Sequence, residues 1–153
     1  MKTLEELLTE HPFFSGLSPE HLKLFSGCAV TLRVDGGEFV FREGELARSF
    51  YVVRHGSIAI TSLVPQEGLV TIQTLGEGDI LGWSWLLPPY RWHFGARAIE
   101  PAALIALDAS CVRTKCDHDR EFGYEIMRRF AQVMASRLEA THLQLMNVYE
   151  YRA

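Results

Sequence analysis

The densest chemistry in the chain lies in one stretch, Gly82-Trp83-Ser84-Trp85-Leu86-Leu87-Pro88-Pro89-Tyr90-Arg91-Trp92-His93-Phe94-Gly95. Trp83, Trp85, Tyr90, Trp92 and Phe94 fall within twelve residues and include all 3 tryptophans. An indole beside a guanidinium can stack on a planar ring or hold a cation, worth roughly 0.5–2 kcal/mol per well-placed contact. Arg91 and His93 alternate with the aromatics, and a histidine gains charge at mildly acid pH. This pattern suits a pocket for a small planar anion. The structural alternative is that Trp83, Trp85 and Phe94 close the end of the fold as core, with Pro88-Pro89 fixing the turn. A plug alone would not need Arg91 and His93 between the rings, so the loop as a whole is read as a pocket.

Other chemistries find less support. No nucleophile elbow, P-loop, zinc-protease helix or paired-carboxylate signature occurs, so no enzymatic activity is expected. Glu38, Glu43 and Glu45 are read as turn and surface residues. Cys28, Cys111 and Cys116 are an odd number in a chain too long to need staples, which predicts reduced, inert thiols in a reducing compartment. Cys111, Cys116 and His118 match none of the tight zinc spacings, and no fourth ligand lies near, so no metal site is expected. The formal net charge of −4 over 153 residues supplies no global attraction to nucleic-acid phosphates. No run of about eighteen apolar residues occurs, and Met1 to His11 carries acids where a signal peptide has an apolar core. A soluble, cytoplasmic protein without membrane contact or direct DNA binding is expected.

These residues need a scaffold, and 153 residues that are 48% hydrophobic suffice for one core. Leu4, Leu7 and Leu8 recur at helical spacing until Pro12 stops the helix. Ser18-Pro19 then reads as a hydroxyl cap followed by a proline in the first turn of a second short helix. From Cys28 to about Leu107 the texture changes to short β-branched and aromatic runs, Val30–Val34, Glu38–Phe41, Ser49–Val53, Ser57–Leu63, Leu69–Thr74 and Ala102–Leu107. Turns such as Asp35-Gly36-Gly37, His55-Gly56 and Gly76-Glu77-Gly78-Asp79 separate them, and Pro65 to Gly68 reads as a hairpin tip. Such punctuation predicts a mainly β fold, an antiparallel roll of the jelly-roll type with flanking helices.

From roughly Asp119 to Tyr149, Ile126, Phe130, Val133, Met134, Leu138, Thr141, Leu145 and Val148 recur every three or four residues. This predicts an amphipathic helix about 45 Å long, longer than a small roll covers. Its distal half needs another apolar surface. A second copy of the chain is the expected supply, and packing back on its own domain is the alternative. One domain results: residues 1–27 as opening helices, 28–108 as the roll and 117–150 as the long helix.

The order of these elements and glycines resembles the cyclic-nucleotide-binding domain of the catabolite activator protein group and of nucleotide-regulated kinases and channels. The carriers are HPFFSGLSPEHLKLF, Gly37-Glu38, Phe41-Arg42-Glu43-Gly44, Phe50-Tyr51-Val52-Val53, Arg54-His55-Gly56, Gly76-Glu77-Gly78-Asp79, Gly82 and Arg97-Ala98, in order across nearly the whole chain. The resemblance implies a jelly-roll β-roll and a regulatory, non-enzymatic role. In the transcription factors of this group a helix-turn-helix follows the long helix; this chain ends at Ala153, so no DNA reading is expected of it.

The resemblance also implies a phosphate cassette between two strands: N–H groups of a short helix, an acid for the ribose hydroxyl and an arginine for the phosphate. Gly82 matches the family's glycine. Trp83 stands where the ribose acid is expected, and the phosphate arginine and its hydroxyl neighbour should fall near Trp92 and His93. Arg91, one place away, is expected to swing in, with His93 as second donor. Gly82, Trp83, Ser84, Arg91, Trp92 and His93 are therefore the candidate cassette. Ile72 and Gln73 fall where the roll lines sugar and base, and Thr141 where a hydroxyl contacts the base or, equally, where a small polar residue sits on a dimer seam. The expected function is a sensor of a cyclic nucleotide or related anion that signals through a homodimer helix or to a partner protein. The alternative is a non-binding structural or adaptor module of the same fold.

Overall fold

Two hydroxyl caps set the opening helices of the computed structural model, which describes residues 1–152, with side chains through residue 150. Helix α1 (Leu4–Glu10) starts at Thr3, whose hydroxyl accepts the Glu6 N–H while the Glu6 carboxylate accepts the Thr3 N–H. Each group satisfies an amide that the first turn leaves without a partner. After a 3-10 turn at Pro12–Phe14, helix α2 (Pro19–Ser26) is capped by Ser18, which accepts the His21 N–H.

Among the described residues eight strands follow: β1 (Ala29–Val34), β2 (Phe39–Phe41), β3 (Ser49–His55), β4 (Ile58–Val64), β5 (Gly68–Leu75), β6 (Ile80–Leu81), β7 (Gly95–Ala98) and β8 (Ala102–Asp108). They form two antiparallel four-stranded sheets, ordered β1-β8-β3-β6 and β2-β7-β4-β5. The first and last strands pair, Ala29 opposite Leu107, so the roll closes on its own beginning. The expected jelly-roll is thus the architecture. β6 and β7 fall outside the expected runs; at 2 and 4 residues each is too short for an alternation to register. Central strand β8 buries every side chain from Ala102 to Leu107, because neighbouring strands flank it and helices cover it.

A helix absent from the sequence reading, α3 (Ala109–His118), begins directly on β8, with the Asp108 carboxylate accepting the Cys111 N–H. Asp119 then breaks the path with an extended backbone and accepts the Phe122 N–H, capping α4 (Arg120–Arg152). At 33 residues α4 is about 50 Å long. Its first turns enter the core: Phe122, Ile126 and Phe130 are buried. Phe130 meets Phe13 at 5.1 Å, Phe50 at 5.2 Å and Trp85 at 5.2 Å between ring centroids, while Phe122 meets Phe25 at 4.9 Å. One aromatic cluster thus joins the N-terminal helices, β3, the tryptophan loop and α4. Residues 141–150 are exposed throughout. No helix among the described residues is long and apolar enough to cross a membrane.

The expectation of three reduced thiols does not hold. Cys28, in the turn between α2 and β1, and Cys111, in the first turn of α3, form a disulfide with Cα atoms 5.7 Å apart. They lie 83 residues apart in sequence, so only the closure of β1 on β8 reveals the pairing. The inference from cysteine content to a reducing compartment falls away with it. Cys116 remains a thiol, and burial pushes its pKa up to about 11.

Candidate functional site

The parity of three residues decides the tryptophan loop. Arg91 forms an isolated bridge with Leu46, the Trp92 N–H donates to Glu45 O at 2.9 Å, and Trp92 O accepts the Gly44 N–H at 2.8 Å. Neighbouring side chains of an extended chain point to opposite faces. Trp92 therefore turns inward, 5% exposed, while Arg91 and His93 turn outward. Arg91 Nη1 donates to Gly44 O at 3.0 Å instead of entering the roll. The His93 ring stacks on Trp83 at 4.6 Å, and its Nδ1 lies 3.0 Å from the buried Ser84 hydroxyl. The expected swing of Arg91 into the pocket, with His93 as second donor, is corrected on this point. A one-residue displacement along a strand reverses the face rather than adjusting the reach.

Trp92 takes the inward position near which the resemblance places the phosphate arginine. Its indole lies flat on Phe41, 3.6 Å between centroids at 9°. It also covers Gly82, where φ is +92° and a Cβ would come within 2.3 Å of the ring. Glycine is required there twice, for its backbone and for the indole's approach. Residues 83–90 run through turns, with no helix between Leu81 and Gly95 among the described residues. The helix start implied by the resemblance is therefore absent from this stretch. Trp85 belongs to the core, fully buried and stacked on Phe50 at 4.6 Å.

Between the roll and α4 lies a cavity of about 610 Å³. Gly82, Trp83, Ser84, Trp92, Ile72 and Gln73 line it from the roll, joined by Phe41, Ile60 and Phe94. Helix α4 closes the other side with Met134, Arg137, Leu138, Thr141 and Gln144, which recur at helical spacing on one face. Seven of the nine residues singled out in the sequence thus share this space; Arg91 and His93 do not line it. Thr141 donates to Arg137 O at 2.9 Å.

Arg137 escaped the sequence reading. Its Nη2 donates to the Ile80 carbonyl at the start of β6, and burial lowers its pKa while Asp79 partly offsets that effect. It is the one charged side chain among the described residues that line the cavity. Its position one helical turn before Thr141 was the available signal, since residues at i and i+4 share a face. Chemically the site offers a largely apolar chamber, two stackable indoles, hydroxyl and amide groups, and one cation. No carboxylate among its described residues could hold a ribose hydroxyl.

The model of the family described as cyclic nucleotide-binding domain matches residues 31–119. The chain is 32% identical over 98 residues to the cyclic AMP receptor protein of Thermus thermophilus, covering 63% of this chain and 44% of that one. It therefore spans less than half of that relative's length. A crystal structure of a cyclic nucleotide-binding domain from Methylobacillus flagellatus superposes with a TM-score of 0.79 at 15% identity, over 94% of this chain and 81% of that one. The sensor domain of the transcriptional regulator DNR from Pseudomonas aeruginosa superposes with a TM-score of 0.70 at 20% identity, over 88% and 91%. These two likenesses concern the fold. The family match runs from β1 to the end of α3, through every strand that walls the cavity, and the chain accordingly belongs to the cyclic nucleotide-binding domain family.

Proposed function

We propose that this domain is a cytoplasmic small-molecule sensor that takes a cyclic nucleotide or a related anionic ligand into the cavity and signals through α4 in a homodimer. The observation that carries the proposal is that one face of α4 serves two surfaces. Met134, Leu138 and Thr141 line the cavity and also continue a stripe of Tyr124, Met127, Ala131, Leu145 and Val148 in alternating steps of three and four. That spacing averages the 3.5 residues of a coiled-coil seam. Leu138, Leu145 and Val148 are 58%, 53% and 49% exposed, apolar surface that a second copy would cover. A ligand touching this face changes the helix positions the seam favours, which is sufficient for coupling. The cavity volume of 610 Å³ falls within the range of about 300–1,000 Å³ common to ligand pockets. The likeness to a cyclic AMP receptor protein supports the ligand class. Output passes through the dimer or to a partner protein, with no catalytic step and no direct DNA contact assigned to these residues.

Ordinary cyclic AMP is expected to bind weakly, since Trp83 and Trp92 stand where the ribose acid and phosphate arginine are expected. The test is mass spectrometry of small molecules released from the purified protein, followed by calorimetric titration with what is released, cyclic AMP and cyclic GMP. A tight cyclic AMP complex with Arg91 on the phosphate would overturn the site assignment. One observation favours a second reading, a non-binding structural module: the Trp92–Phe41 stack fills the space over Gly82. That reading prevails if nothing is released and a broad metabolite panel neither releases heat nor raises the melting temperature.

A further inference from the structure

An anion entering the cavity finds no cation on its β side. Trp92 faces in, Arg91 is committed to Gly44 on the outer face, and His93 is stacked on Trp83. The charge comes from the helix. Arg137 is half-buried and donates to the Ile80 carbonyl, two residues before Gly82. None of the ion pairs among the described residues includes it. A guanidinium carries five N–H donors in a planar fork suited to carboxylate, sulfonate or phosphate oxygens, and one carbonyl uses only part of that fork. Asp79 offsets the burial of this cation only in part and forms no ion pair with it, so an anionic ligand on the remaining donors relieves the rest.

We propose that Arg137 is the anion anchor of this cavity, and that the ligand class is an apolar, ring-bearing anion whose body packs against the Trp92–Phe41 stack. The inference rests on the sensor reading above and sharpens it. The charge-reading group sits on the output helix instead of the sheet cassette. When an oxyanion arrives, Arg137 exchanges the Ile80 carbonyl for the ligand, so occupancy alters the hydrogen bond that ties α4 to β6.

The test uses two probes that share a ring system and differ in charge, 1-anilinonaphthalene-8-sulfonate and neutral N-phenyl-1-naphthylamine, titrated by fluorescence into the full chain. The wild type should bind the sulfonate at least tenfold more tightly than the neutral probe. Arg137→Gln should erase that preference while holding the neutral probe within about threefold of the wild type. Arg137→Lys, which keeps the charge, should retain part of the preference, and Arg91→Gln should retain all of it. Arg137→Met serves in place of the glutamine variant if that protein does not fold. Equal wild-type affinities, a preference that survives loss of Arg137, or one lost with Arg91 would each overturn the anchor. Neutral-probe binding without preference removes the anchor alone and leaves the cavity reading standing. Failure of both probes to bind overturns both.

Discussion

The two halves of α4 have the same backbone and opposite surroundings. The first half carries Phe122, Ile126 and Phe130 into an aromatic cluster assembled from four other parts of the chain, and Arg129 Nη1 donates to Phe13 O at 2.6 Å. The second half touches the roll along the cavity, with Arg137 bonded to Ile80 O, and then runs on into solvent. Burial is dense at the root and sparse beyond it. Local stability follows local burial, so the root is tied to global unfolding while the distal part opens at lower cost. One element thus provides both a densely buried root and a sparsely covered extension, with Met134, Arg137 and Leu138 at the transition.

The contrast can be broken most severely at the root. Phe130→Ala removes a ring at the centre of the cluster and is expected to lower unfolding free energy by about 3–5 kcal/mol, read from the urea midpoint. The paired change Cys28→Ser, Cys111→Ser releases α3 from the start of β1 and should cost about 2–4 kcal/mol by the same measurement, with a matching loss in wild type on reduction. Unchanged stability under reducing conditions would remove the crosslink from the account. At the cavity, Gly82→Ala forces a side chain onto a positive φ and into the Trp92 ring; a loss of about 1–3 kcal/mol and a shift in tryptophan emission are expected. The smallest effect belongs to the distal half. Leu138→Ala, at an exposed position, should change stability by less than about 0.5 kcal/mol while reducing the dimer fraction in sedimentation. A large stability loss there would erase the distinction between the halves.

Local signals made much of the fold legible in the sequence. The Ser18-Pro19 cap, the glycine turns, the hairpin between Val64 and Gly68, and the apolar spacing of the long helix each depend on residues a few positions apart. What stayed hidden depends on tertiary closure. β6 and β7 are held by partners, Tyr51 opposite Leu81 and Ile58 opposite Ala98, instead of by their own pattern. The Cys28–Cys111 bond needs β1 against β8. The outward turn of Arg91 and His93 follows from pairing with Leu46, a partner 45 residues earlier that no composition argument supplies. Arg137 sits among solvated neighbours, and its role becomes visible only when the helix returns across β6. For the candidate cavity, the loop stood out by its aromatic and cationic residues, the β5 pair and Thr141 came from the resemblance alone, and Arg137 came from neither.

Leu138 and Thr141 belong to the cavity wall and to the outward stripe at once, so the chamber's fourth side is incomplete until something covers it. In the proposed homodimer, two copies meeting along that stripe would each bring side chains close to the other's ligand. Under that proposal occupancy would depend on how much protein is present as well as how much ligand: diluting the chain would weaken apparent affinity, and raising its concentration would tighten it. A dissociation constant measured for such a dimer would be meaningful only beside the chain concentration at which it was taken.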